Sequence, residues 1–328
     1  MLAEALRRLA QSAFVLVAMS VLVFLGIYAI GNPVELLVNP QADEAEKLRA
    51  TVALGLDRPL PEQYLSFLRG ALTGDLGRSF VFGVPALELI LSKLPATVEL
   101  ALLAMVLAVG IGIPLGLLAG LRPESWLSRS IMTGSILGFS LPTFWVGLVL
   151  IMLFSVQLGW LPSGGRGETV TLLGQRWSLF TADGLQHLLM PAFNLALFKL
   201  SLLIRLTRAQ TREALQQDYV RYARAKGLRA GRVVGVHVLK NILIPIVTII
   251  GLEFGSVIAF AIVTESIFAW PGTGKLLIDS INQLDRPVIV AYLLVIVTLF
   301  VTINLVVDLL YTALDPRVRS GARPGAAA

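Results

Sequence analysis

Six apolar runs constrain this chain more than any other feature: Ala10–Ile30, Pro95–Gly120, Ile131–Leu161, Gln186–Ile204, Leu243–Val263 and Val288–Val307. Each is about 20 residues or longer, enough for a helix to cross a hydrocarbon core of ~30 Å. Hydrocarbon offers no partner to a free N–H or C=O, and a helix satisfies these groups within its own segment. The expected fold class is therefore all-α, a polytopic integral membrane protein with six transmembrane helices. Composition agrees: 15% of the residues are charged, where a soluble domain carries about 25%.

The charges give the expected orientation. Arg7 and Arg8 precede the first run, and the short loops after the second and fourth runs are also basic. With the N-terminus inside and six crossings, Lys and Arg collect in the cytoplasmic segments and Asp and Glu in the others, as the positive-inside rule requires. Both termini are then expected in the cytoplasm, and the absence of cysteine fits the expected location, a bacterial cytoplasmic (inner) membrane. The first apolar run exceeds the 7–15 residues of a signal h-region and no small-x-small site follows it, so it is expected to be a retained crossing. There is no cysteine, and His187 and His237 are the two histidines, which leaves no thiolate or histidine metal cluster to build. Basic residues that sit at membrane borders argue against nucleic acid as a partner.

Between the fourth and fifth runs, residues 207–240 form the most polar stretch near the membrane. Arg208, Arg212, Arg221, Arg224, Lys226, Arg229, Arg232 and Lys240 are opposed there by Glu213 and Asp218. Within it, the spacing predicts one short helix, with Asp218 as the cap at its start and Gly227 ending it in the left-handed conformation. Tyr219, Tyr222, Ala223 and Lys226 then share a face. Such a helix is shaped to dock in a groove of a cytoplasmic partner; a basic loop that fixes topology and touches lipid headgroups would also fit the charges.

Ala223-Arg224-Ala225-Lys226-Gly227, followed by His237, Asn241 and Pro245 at four-residue intervals, resembles the cytoplasmic loop of ABC importer permeases. The likeness is greatest to the B-type subunit of the dipeptide/oligopeptide/nickel family. The widespread loop begins Glu-Ala-Ala, with Gly four positions after the second Ala. Ala223 and Gly227 keep that spacing, while Arg221 and Tyr222 depart from it as the peptide subgroup does. LGLDRPLPEQYLSFLRGALTGDLGRSF in the first outer loop, SLPTFWVG at 140–147, ESIF-WPG-G-LL from Glu265 and Leu314-Asp315-Pro316-Arg317 also have counterparts in the family.

The resemblance implies a type I ABC importer permease fold. Its expected organisation is a first transmembrane helix at 1–30, an extracytoplasmic loop region at 31–94, a permease core at 95–314 and a disordered cytoplasmic tail at 315–328. It implies that Asp218, Tyr219, Arg221, Tyr222, Ala223, Arg224, Ala225, Lys226 and Gly227 form a coupling helix against an ATPase. The implied partners are a second homologous permease forming a heterodimer, two ABC ATPase subunits, an extracytoplasmic substrate-binding protein and membrane lipid. ATP and Mg2+ belong to the ATPases, with no cofactor in this chain.

Several polar residues inside the runs keep open readings. Pro142 interrupts the third run, as a kink beside the pathway or as packing. Glu99, near the end of the second run, is expected at the interface within reach of water. Asn194 and Lys199 lie in the fourth run, where snorkelling toward the inner face is the cheaper explanation for Lys199. Glu253, the deepest carboxylate by sequence, fits pathway lining, pairing with Lys199, or contact with the second permease. Gly272-Thr273-Gly274-Lys275 looks like the end of a phosphate loop, but Ala269 and Leu276 stand where that motif needs Gly and Ser or Thr. No catalytic set is discernible, so transport energy comes from a partner ATPase or, alternatively, from an ion gradient with Glu253 and Lys199 as coupling residues. The expected function is a permease subunit of an ATP-driven, binding-protein-dependent importer of di- or oligopeptides or similar small solutes, and not an enzyme.

Overall fold

A computed structural model describes residues 2–29, 43–53, 56–172 and 174–314. The expected disordered tail at 315–328, the last residue of the expected first helix and the first part of the expected outer loop, 31–42, lie outside the described residues. Among the described residues, four helices are long and apolar enough to cross a membrane: within Leu6–Gly26, Ala86–Leu121, Ala182–Leu215 and Arg286–Leu309. Two bent pairs, Trp126–Ser140 with Thr143–Gln157 and Ala230–Leu243 with Pro245–Ala259, bring the number to six if each is one span. Among the described residues the fold is all-α apart from a small two-stranded hairpin, β1 (Val170–Leu172) with β2 (Gln175–Trp177).

The chain divides into two compact units. One comprises residues 1–92 and 276–305. It holds α1 (Leu2–Ala29), α2 (Glu44–Ala53), α3 (Leu60–Thr73) and most of α13 (Arg286–Leu314). Helices α1 and α3 meet through Ser20 Oγ and Tyr64 Oη at 2.8 Å and through Phe24, whose ring is 5.4 Å from that of Tyr64 and 5.7 Å from that of Phe67. Gly74 ends α3 with φ +81, and a tight turn follows. Asp285 latches that turn. Its buried carboxylate accepts from Ser79 Oγ, from the Phe80 N–H at 3.0 Å and from the Val81 N–H at 3.4 Å. The Gly-Asp-Leu-Gly-Arg-Ser piece and the Leu-Asp-Arg-Pro piece at 284–287 are thus two halves of one contact. Asp285→Ala strands a hydroxyl and two amides, so it should cost about 3 kcal/mol. Limited proteolysis should then cut at 78–85, and resistance equal to the unsubstituted protein would refute the latch.

The second unit comprises residues 93–275 and 306–328. It carries most of α4 (Ala86–Leu121) with α5 (Trp126–Ser140), α6 (Thr143–Leu150) and α7 (Ala182–Leu215). After these come α8 (Asp218–Ala225), α9 (Ala230–Arg232), α10 (Leu239–Ala259), α11 (Ile262–Ile267) and the start of α12 (Thr273–Asn282). Trp270 is the centre of its core, packed with Ala96, Leu100, Leu188 and Ala192 and donating Nε1–H to the Ala96 carbonyl at 2.9 Å. Helix α4 starts well before Pro95, which lies inside it with Pro114.

Gly112, Gly116 and Gly120 form the stripe by which α4 approaches α7. A Cβ at Gly116 would lie 2.6 Å from Thr207 Cβ and 2.7 Å from the Ile204 carbonyl, and one at Gly120 would lie 2.6 Å from Thr211 Cβ. Small residues permit this close approach between membrane helices. Gly110, in the same small-residue run, has nothing near it.

Pro142 does more than kink a helix. The chain turns by 106° between α5 and the α6 segment. Leu141 is extended, with φ −78 and ψ 134, because the residue before a proline is pushed out of the helical region. A milder 45° bend precedes Pro245, in a stretch whose backbone is π-helical over Val233–Val238.

Candidate functional site

Helix α8 forms where the sequence predicts, and its details differ from expectation. Gln217 occupies the cap position without a side-chain bond, and Asp218 is the first helical residue. The Asp218 carboxylate lies 3.6 Å from Arg221 on the exposed side instead of capping. Gly227, at φ +74, ends the helix in the left-handed region as expected. Ala223 does not share the outer face with the tyrosines. It is buried with Val220, against a neighbouring stretch, Val233–Val238, in which Val233 and Val238 are also buried. Tyr222 is 63% and Tyr219 38% exposed. Arg221, Arg224, Ala225 and Lys226 are exposed as well, with Lys226 Nζ 4.5 Å from the centre of the Tyr222 ring. The outward surface is two tyrosines rimmed by cations, held in place by two small apolar residues beneath.

Within the spans, Lys199 of α7 does not snorkel. Its ammonium donates to Glu253 Oε2 of α10 and, at 2.8 Å, to Ser256 Oγ. Nor is Glu253 the deepest carboxylate: its side chain keeps 29% exposure, while Glu99 and Glu265 are fully buried. Asn194 is fully buried and donates Nδ2–H to Thr264 Oγ1 at 3.0 Å, which places it in the packing of α7 against α11.

The buried carboxylates hold connecting segments. Glu99 does not lie at the water's edge that its place near the end of the second run suggests; it accepts from the Ser178 N–H at 3.0 Å, from Ser178 Oγ and from Arg166 Nε at 3.0 Å. Arg166 also donates to the Arg176 carbonyl and lies over Trp270. The segment around the hairpin is thereby fastened to α4. Glu265, in the connection after the fifth span, sits at the start of α12. It accepts from Thr97 Oγ1 at 2.7 Å and from the N–H groups of Gly274 at 2.7 Å and Lys275 at 3.0 Å. The Gly-Thr-Gly-Lys turn is thus a helix N-terminal anion cradle, filled by the chain's own carboxylate. Burial pushes the Glu265 carboxyl above its ordinary value of 4.5, while the bonds from Thr97, Lys275 and Gly274 act the other way. In the sequence, the signal for this role of Glu265 is an acid within an apolar stretch followed by a Gly-rich helix start.

Two family models match consecutive parts of the chain. Residues 112–320 match the "Binding-protein-dependent transport system inner membrane component", and residues 1–101 match the N-terminal model of such membrane components. The chain belongs to this family. The permease is 42% identical to the di/tripeptide transport system permease protein DppB of Pseudomonas aeruginosa over 88% of its own length and 90% of that protein's. It is 41% identical to the oligopeptide transport system permease protein AppB of Bacillus subtilis over 97% of its length and 99% of that protein's. Against the glutathione transport system permease protein GsiC of Escherichia coli, identity is 39% over 97% and 99%. An inward-facing structure of the methionine ABC transporter MetNI matches with a TM-score of 0.53 at 15% identity, covering 73% of this chain and 99% of that one. The shared architecture is the ABC importer permease fold. The permease is a multi-pass inner-membrane transport component of an ATP-driven importer, without an enzymatic site of its own; the ion-gradient alternative falls with that membership.

Proposed function

We propose that this permease carries di- or oligopeptides, or solutes of similar size and polarity, with α8 as the coupling helix. Near full-length likeness to permeases named for peptide and glutathione transport is the observation that carries the substrate class. The coupling role rests on α8, a short basic helix with exposed tyrosines between two spans. In this reading the chain crosses the membrane six times with both ends cytoplasmic. Residues 31–94 are extracytoplasmic beneath a substrate-binding protein, 95–314 form the permease core, and 207–240 face two ATPase subunits. A second, homologous permease completes the passage. Closure of the ATPases on ATP moves α8 as a lever, and the spans on either side of it rock.

The test uses the surface of α8 and leaves its buried side intact. Tyr222→Asp with Tyr219→Asp should insert and assemble, because both residues are exposed. An aromatic interface anchor is worth ~2 kcal/mol or more, so peptide uptake should fall about thirty-fold. ATP hydrolysis should lose its stimulation by the loaded binding protein. Undiminished uptake would refute the lever and favour contact with lipid headgroups.

A further inference from the structure

Lys199 and Glu253 form an ion pair that is incompletely satisfied and incompletely covered. Both protein bonds to the carboxylate, from Lys199 Nζ and at 3.0 Å from Ser256 Oγ, fall on Oε2. The ammonium spends two of its three N–H groups, on Glu253 and Ser256, and lies 5.1 Å from the centre of the Phe198 ring. One N–H of Lys199 and Oε1 of Glu253 therefore have no hydrogen-bond partner among the described residues. The side chains retain 13% and 29% exposure, so the chain's own packing leaves the pair partly uncovered. Along α7 it stands ~9 Å inside Arg205, at the depth of the spans.

Three surroundings could meet the uncovered side. Lipid is the worst: charged side chains near mid-span cost ~2.5–3.5 kcal/mol each even on permissive scales. A protein contact is free of penalty only if it brings a donor to Oε1 and an acceptor to the third N–H; an apolar one would bury both unpaired, at ~1–3 kcal/mol or more for each. An aqueous passage carries neither penalty, and a polar solute can take the place of its water.

We propose that Lys199 and Glu253 are a transit station in the translocation passage for zwitterionic peptides. Glu253 accepts from the solute's ammonium and Lys199 donates to its carboxylate. The two side chains exchange each other for the solute's opposite ends, so no uncompensated charge is left in the passage at any step. The inference rests on the peptide-permease reading above and adds a recognition chemistry to it.

The chain contains no cysteine, so Ser256→Cys introduces the sole thiol of this subunit. The assembled importer in inverted vesicles is treated with a charged, membrane-impermeant methanethiosulfonate, and modification of this subunit is read by mass. Alanyl-alanine or its N-acetyl amide is added at the cytoplasmic side, which bypasses the binding protein. The thiol should be labelled, and the free dipeptide should slow labelling severalfold while the blocked one does not. Adding Lys199→Gln and Glu253→Gln should preserve labelling and erase that difference. Leu252→Cys, exposed and one helical turn from Ser256, replaces the reporter should Ser256→Cys not accumulate. Absence of labelling in a variant that still imports dipeptide would overturn the station and leave the peptide-permease reading standing. Equal protection by both peptides, or by neither, would overturn the recognition of charge.

Discussion

Gly116→Leu should prevent stable accumulation of the permease in the membrane, and Gly110→Ala, six residues away, should not. The difference follows from what each position meets. A Cβ at Gly116 would stand 2.7 Å from the Ile204 carbonyl and 3.2 Å from Ile204 Cα, atoms of another helix's backbone that no rotamer change can move. Helix α7 would have to retreat from α4, and the contacts at Gly112 with Leu203 and at Gly120 with Thr211 would open with it. Overpacking typically costs ~1–3 kcal/mol; a leucine against main chain should reach the top of that range or pass it. Gly110 has open space around it, and alanine is the better helix former. Thermal stability of the purified complex and membrane abundance read both outcomes. Equal stability of the two variants would mean that the glycine stripe does not set the α4–α7 distance.

Glu265→Ala should be nearly as damaging, and Glu265→Gln much milder. The carboxylate is the common acceptor for Thr97 Oγ1 and for the Gly274 and Lys275 N–H groups, in a fully buried site. Alanine leaves the Gly274 and Lys275 N–H groups without a partner, leaves the Thr97 hydroxyl with Thr273 Oγ1 alone, and opens a void where the side chain stood, a loss of about 3 kcal/mol or more. Glutamine keeps an acceptor oxygen at the helix start. Burial already pushes this carboxyl toward its neutral form, so removing the charge should cost about 1 kcal/mol. Gly272 belongs to the same prediction: a Cβ there would run into the Glu265 carboxylate, so Gly272→Ala should resemble Glu265→Ala. Thermal unfolding of the four proteins ranks them, and a glutamine variant as unstable as the alanine variant would sink the cradle.

Helix α8 and Gly227 were legible because a cationic run between apolar runs and a glycine at a helix end are signals local to a few residues. The division of α8 into an inner and an outer face was less legible. A 3.6-residue period groups Ala223 with Tyr219 and Tyr222, yet Ala223 lies beside Val220 beneath the helix. On an eight-residue helix the period leaves two adjoining stripes, and the neighbouring segment decides which is covered. Gly112, Gly116 and Gly110 look alike in sequence for the same reason.

The sequence alone determined the all-α membrane class, the number of apolar runs and the position of the basic helix. Each follows from hydropathy, charge and backbone preference acting over a short length of chain. Only the tertiary structure decided the partners of the carboxylates. Glu99 meets Arg166 and Ser178, Glu253 meets Lys199, Glu265 meets Thr97, and Asp285 meets Ser79. A carboxylate withdrawn from water takes whichever donors helix packing brings within about 3 Å, and these donors lie far away along the chain.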